Sequence, residues 1–431
     1  MNLTLKTLAI SISCLVVNQA FAVETVDERI SALEAQLLEL KEQRLQDVQQ
    51  LQQAQAQLQA AQVAAPSTTA EAKKPSVLSD TEIKFYGIVR MDGAVDFKDT
   101  ASSQFASSQI PSVNHTPAGN RSAFTLTATR LGMDLAKKVN GTDVKGKVEM
   151  DFWDGLEGNG KLRVRHAYVD FNNWLIGQTS SNMANIETNT ESVDYTLFMG
   201  YTWTRNPQVR YNFNLAPAHN LKVAAEYVDS RTSELPALSA KYVYNQDALT
   251  LVAQGFVNEK RATLSVAGAE KDIDKTAWGV GAGVKYKISP VNSVQAHVYS
   301  VKGDQKFVSY TAQSAGVVNG YASAGDFSVN AKQDDLNMNE VNTYVLGYSH
   351  KLSDQWRTNL VASVLDYDGS TAYAKNNPST NKRLSDIAAN VFYTPAPSVD
   401  VGLEYHNGKR EQFDGKEFDI SRLNFVTTYK F

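Results

Sequence analysis

The sequence holds a single cysteine, Cys14, and it falls inside a segment that reads as a cleaved secretory signal. Beyond that segment there is no thiol, which excludes disulfides, a cysteine nucleophile and cysteine-based metal sites. No stretch approaches the 18 or more apolar residues that a membrane-spanning helix needs. Six histidines, at 115, 166, 219, 297, 350 and 406, are scattered without ligand spacing, so no metal is expected. No glycine-rich phosphate loop leads from a strand into a helix, and no serine, histidine and orienting acid form a readable constellation, so neither a cofactor nor an enzymatic activity is expected. The formal net charge is −4, and the chain beyond residue 81 is close to neutral. Without a basic excess, nucleic acid is not a partner.

The chain begins with a basic Lys6, a short apolar core over 8–17 and the small-x-small site Ala20-Phe21-Ala22. That is the pattern of a signal peptide, 1–22, whose core is too short to span a bilayer. The rival, a lipid-modified Cys14, meets Ser11 where a lipobox carries leucine. From 23 to 62 there is neither glycine nor proline, and Val26, Ile30, Leu33, Leu37 and Leu40 recur at spacings of four and three. This heptad seam predicts a self-associating periplasmic coiled-coil helix. Pro66, Pro75 and many small residues make 63–81 a linker.

From residue 82 the period changes to two. Positions 423, 425, 427, 429 and 431 read Leu, Phe, Thr, Tyr and Phe, with Arg422, Asn424 and Lys430 between them. A strand with unlike faces that stops on an aromatic ring suits a barrel strand anchored at a membrane interface. Sixteen such spans are expected, near 84–97, 121–136, 142–154, 162–172, 174–179, 208–215, 220–229, 238–245, 248–257, 277–289, 292–301, 341–352, 355–367, 384–394, 398–407 and 418–431. Short connections such as Asn172-Asn173, Gln246-Asp247 and Pro290-Val291 alternate with long ones, 98–120, 180–207, 258–276, 302–340 and 368–383. Short periplasmic turns against long outer loops are the asymmetry of an outer-membrane barrel. The expected fold is all-β: a 16-stranded antiparallel transmembrane β-barrel over 82–431, with an N-terminal α-helical coiled-coil extension in the periplasm.

The signal, heptads, linker and barrel pattern together resemble the DcaP-like outer-membrane porins, which are named for dicarboxylic-acid uptake. The most specific segments are Phe85-Tyr-Gly-Ile-Val-Arg-Met-Asp-Gly93, Thr129-Arg-Leu-Gly-Met-Asp-Leu135 and Arg163-Val-Arg-His-Ala-Tyr-Val169. The resemblance implies a homotrimer of pores in outer-membrane lipid, passing small anionic solutes. The helix offers a contact to periplasmic partners or peptidoglycan. A general-diffusion porin and a structural envelope protein anchored by its coiled coil are the alternatives.

In a porin the third outer loop narrows the lumen, which places the constriction at 180–207. It carries Glu187, Glu191 and Asp194, then Phe198, Tyr201 and Trp203, then Arg205. Strand parity turns Arg90, Asp92, Asp96, Arg130, Asp134, Gln208 and Arg210 inward. Arg163 and Arg165 share one face, opposite Val164, His166 and Tyr168. Guanidinium forks offer paired donors to a carboxylate without titrating, and several spaced ones give weak sites that release as well as bind. Arg90, Arg130, Arg163, Arg165, Arg205 and Arg210 are therefore the candidate pore-lining residues. Facing them, Glu187, Glu191 and Asp194 would set up a transverse field. Lys145 and Lys147 are expected to neutralise Glu149 and Asp151 on the same wall.

Overall fold

The computed structural model describes residues 80–98, 121–153, 160–201, 204–228, 233–266, 269–307, 317–318, 321–322 and 325–431. The chain divides into Met1–Val77 and Leu78–Phe431, and the described residues all lie in the second unit. The expected signal peptide (1–22), coiled coil (23–62) and linker up to residue 79 lie outside the described residues.

Sixteen antiparallel strands close into a barrel. They are β1 (Glu82–Asp96), β2 (Arg121–Thr125 and, after a break, Arg130–Val139), β3 (Thr142–Asp151), β4 (Arg163–Phe171), β5 (Trp174–Ser180), β6 (Arg205–Ala216), β7 (His219–Glu226) and β8 (Ala237–Gln246). After these come β9 (Leu249–Val266), β10 (Ala269–Ser289), β11 (Asn292–Lys302), β12 (Glu340–Lys351), β13 (Trp356–Tyr367), β14 (Asn381–Ala396), β15 (Val399–Gln412) and β16 (Glu417–Lys430). Each pairs with its chain neighbours, and β1 closes the ring on β16 from Ile88↔Lys430 to Asp96↔Arg422. The ladder runs to the last residue, because Gly87 and Phe431 exchange both backbone hydrogen bonds. A side chain at Gly87 would strike the Phe431 ring, so glycine is what seats that ring on the wall. Closure leaves no unpaired edge, the condition for strands in a bilayer.

Alternation decides which face meets lipid. In β1, Phe85, Val89 and Met91 point outward and are exposed, while Asp92 and Asp96 are buried inside. Leu346, Leu360, Ile387 and Leu403 continue the outward apolar face on β12–β15. At one end the turns are tight. Asn140-Gly141 and Asn172-Asn173 place both residues at positive φ, the type I′ geometry that follows strand twist. This short-turn end, which also carries Phe431, is the periplasmic one.

Three expectations need correction. The 258–276 loop is strand: β9 and β10 run on as one long hairpin, with Ala262, Leu264 and Ile273 buried against Phe327, Leu336 and Met338. The 121–136 strand breaks at 126–129, where Thr129 Oγ1 takes the place of a ladder partner for the backbone of Arg90. In β4 the register slips between Glu149 and Met150 of β3, so Val164 pairs with Met150 and His166 with Glu149. Parity inverts beyond that bulge. His166 and Tyr168 therefore face the lumen, and Val169 faces out. Part of the lumen is apolar: Met183, Met199, Phe256, Tyr299, Phe307, Leu365, Tyr367 and Leu384 form a buried core inside the ring.

Candidate functional site

The chain between β5 and β6 folds into the barrel and is tied to the wall along nearly its whole length. Asn182 reaches Glu226 of β7 and Ser239 of β8. The Met183 carbonyl accepts from Gln254 of β9. Thr190 reaches Gln295 of β11, and Glu191 binds Arg357 of β13 with both carboxylate oxygens at 2.7 Å. The Val193 carbonyl accepts from Arg90 of β1 at 2.6 Å, and Tyr195 Oη donates to Asp151 of β3 at 2.6 Å. Phe198 and Tyr201 then pack on Val345, Val361 and Ala388. Burial pushes the Tyr201 hydroxyl up to about 12, and it accepts a hydrogen bond from the backbone of Thr190. Of the aromatics expected here, Trp203 lies outside the described residues.

The strongest tie is on β15. Glu404, 1 % exposed, accepts from the backbone N–H groups of Val193 (3.0 Å) and Asp194 (2.9 Å) and from Ser192 Oγ (3.1 Å). His406 sits between Glu404 (2.9 Å) and Asp386 of β14 (2.6 Å). With both nitrogens against carboxylates, the ring serves as a double donor.

The candidate arginines divide into two groups. Arg90 is held by Asp92 at 2.6 Å and by the loop carbonyl. Arg165, 2 % exposed, bonds Glu149 (2.6 Å), Asp151 (2.8 Å) and Tyr195 Oη (2.5 Å). These two fasten the loop. Arg163 pairs with Asp151 at 2.7 Å and Arg130 with Glu149 at 3.4 Å, and both retain partial exposure. Arg205 is the first residue of β6 rather than part of the loop, and it stands within electrostatic reach of Arg130, Arg163 and Arg165. Arg210 lies within reach of Asp170, Glu187 and Glu226 but forms no ion pair or hydrogen bond among the described residues. Arg130, Arg163, Arg205 and Arg210 thus occupy one sector of the wall, β2–β6.

The loop acids border that sector, with Glu187 in reach of Arg210 and with Glu191 and Asp194 beside Arg130, but their direct partners lie elsewhere. Glu187 pairs with Lys241 (2.6 Å) and Lys222 (3.9 Å), Glu191 with Arg357, and Asp194 turns onto Thr196 at 2.8 Å and Asn424 at 3.3 Å. Lys147 is held by Asp134 at 2.7 Å, while arginines take Glu149 and Asp151. Sequence reasoning missed Lys222, Lys241, Arg357, Glu404 and His406. The available signal was Lys222 opposite Lys241 in register on the lumen face, a like-charge pair that calls for a shared acid. A cleft of about 160 Å³ between loop and wall brings together Arg90, Arg130, Glu191, Asp194 and Tyr195. Its size suits a small organic acid or a few waters.

A closed barrel with an inward-folded loop and a basic sector beside it has the architecture of a porin, and the match to known proteins decides which kind. The family model of the DcaP outer membrane protein matches residues 14–431. The chain belongs to that family. It is 31% identical to the outer membrane channel DcaP of Acinetobacter baumannii, covering 82% of this chain and 98% of that one with a TM-score of 0.71. OmpF of Salmonella typhi, solved with daunomycin, shares 13% identity over 82% of this chain and 98% of its own, with a TM-score of 0.54. OmpT of Vibrio cholerae shares 14% over the same fractions, with a TM-score of 0.52. These last two share the fold alone. No curated protein matches the chain. This DcaP-family protein is an outer-membrane channel, not an enzyme.

Proposed function

We propose that the channel passes small organic anions, dicarboxylates above all, by passive diffusion through the gap between the inward-folded loop and the β2–β6 wall. The observation that carries this reading is the gathering of Arg130, Arg163, Arg205 and Arg210 on one sector, with Arg210 forming no ion pair among the described residues. An anion leaving water there exchanges hydration for charge-assisted hydrogen bonds from groups that never lose their charge. Partial pairing with Glu149 and Asp151 keeps each contact weak enough for release. Diffusion down a gradient requires no cofactor.

The test is ion selectivity of the full-length channel and of the Arg130→Gln/Arg210→Gln variant in a planar bilayer under a salt gradient. The reading predicts an anion-favouring reversal potential that moves toward zero in the variant. An unchanged potential would sink the arginine sector and leave a general-diffusion porin. Homotrimeric assembly, with the 23–62 heptads in the periplasm, belongs to the same proposal; conductance steps in groups of three support it, and single independent steps oppose it.

A further inference from the structure

Beneath the inward loop, at the short-turn end, β10–β13 and their turns line a second, open-mouthed cavity of about 600 Å³. It is separate from the arginine sector: Asn189 and Glu191 of the loop reach its edge, and the turns at Pro290-Val291 and Ser353-Asp354 form its rim. Two lysines enter it from β10. Lys285 and Lys287 share the strand's inward face, opposite the outward Tyr286, and two residues along a strand separate them by about 7 Å. Neither forms an ion pair or a hydrogen bond among the described residues.

The acids at this cavity are already neutralised. Glu191 is engaged by Arg357, which also binds Asp400 at 3.1 Å, and Asp354 is engaged by Lys351 at 2.7 Å. The lysine charges on β10 are therefore uncompensated.

The neighbouring strands add oriented donors. Lys287, Ser293, Ser349 and Asn359 lie in one cross-strand row over β10, β11, β12 and β13. Gln295, 2 % exposed, donates its amide to both hydroxyls, to Ser293 Oγ at 2.8 Å and Ser349 Oγ at 3.2 Å. A hydroxyl that accepts from an amide keeps its own proton for another acceptor. Gln295 therefore fixes two serines as donors, and Thr190 of the loop contacts the other end of the same amide. Two free ammonium groups beside two hydroxyls set as donors are complementary to an anion and not to a cation.

We infer that this cavity is a second anion site, at the periplasmic mouth, for a small divalent anion of dicarboxylate or phosphate type. It rests on the anion-channel reading above and adds a station where a solute that has passed the loop is held before release. Because Thr190 bonds Gln295 and Glu191 lines the cavity, the station lies against the underside of the loop, on the periplasmic side of it. Two weak sites in series, each incompletely neutralised, favour passage over tight capture.

The experiment is single-channel recording of the full-length protein, adding succinate or inorganic phosphate to one side at a time. In the wild type, each should interrupt the current more effectively from the periplasmic side. In Lys285→Gln/Lys287→Gln, interruption from that side should need roughly tenfold more anion, while the reversal potential set by the arginine sector stays anion-favouring. Gln295→Leu, which keeps both lysines, should give a smaller shift in the same direction. If interruption by both anions from the periplasmic side is unchanged in the lysine variant, the site does not exist. Equal weakening from both sides would assign the block to the constriction and overturn the inference without touching anion selectivity. A wild-type reversal potential favouring cations would instead overturn the reading on which the inference rests.

Discussion

Glu404 and His406 show how one residue can set the geometry of a pore from the wall behind it. Three donors of the segment Ser192, Val193 and Asp194 converge on the Glu404 carboxylate, which His406 and Asn390 hold in turn. Hydrogen bonds to a charged group are each worth about 1.5–3 kcal/mol, and buried donors left without their acceptor cost a further desolvation penalty. Glu404→Ala should loosen the loop by about 3 kcal/mol or more, read as greater open-channel current noise and a lower voltage threshold for closure. A channel as quiet as the wild type would mean that the loop is held elsewhere. A second residue-scale expectation concerns Asp326, in the long connection between β11 and β12, which shares Lys260 with Asp304 at 3.0 and 2.9 Å. Burial pushes its carboxyl above the usual range, to about 6, against the pull of Lys260. A raised acid favours the protonated folded form, so its contribution is present below the ordinary carboxylate value and is lost as pH rises through 6. The outer segment around 325–339 should therefore be cut faster by protease at pH 7.5 than at pH 5, relative to Asp326→Asn, which removes the dependence. Identical pH profiles for the two proteins would refute this. The inward placement of Arg90, Arg130 and Arg210 was legible from parity. The ties between wall and loop were not, because Val193 and Arg90, or Glu191 and Arg357, meet across more than a hundred residues of chain.

At the scale of the element, all sixteen strands were legible because alternation of apolar and polar residues is what a lipid face and a lumen face demand. What escaped was wherever the strand serves something other than the membrane. Glu259, Lys260 and Arg261 read as loop, yet β9 and β10 continue through them because Ala262, Leu264 and Ile273 find a small apolar core above the bilayer. The slip beside Arg165 escaped because a bulge leaves no mark in composition and yet turns His166 and Tyr168 inward. The lipid face itself makes a direct prediction. Leu346, central in β12 and 60 % exposed, lies between Ala296 and Ala362 on the outer wall. Leu346→Arg should destabilise the folded barrel in lipid by about 2–4 kcal/mol, measured by denaturant unfolding in vesicles. A change below about 1 kcal/mol would place Leu346 at the interface or against another protein surface.

For the whole molecule, closure of β1 on β16 over the terminal Phe431 makes the wall, and the loop between β5 and β6 divides what is inside it. Beneath β8–β16 the outer part of the lumen is packed with Phe256, Phe307, Leu365 and Leu384. On the β2–β6 side, the wall keeps partly exposed arginines. A route for anions along that side is the central claim. It is tested most directly by the reversal potential of the wild-type channel in a planar bilayer under a salt gradient, read with and without succinate. The account predicts a potential of anion-favouring sign and brief succinate-induced interruptions of the open current. Open channels that favour cations and ignore succinate would contradict it.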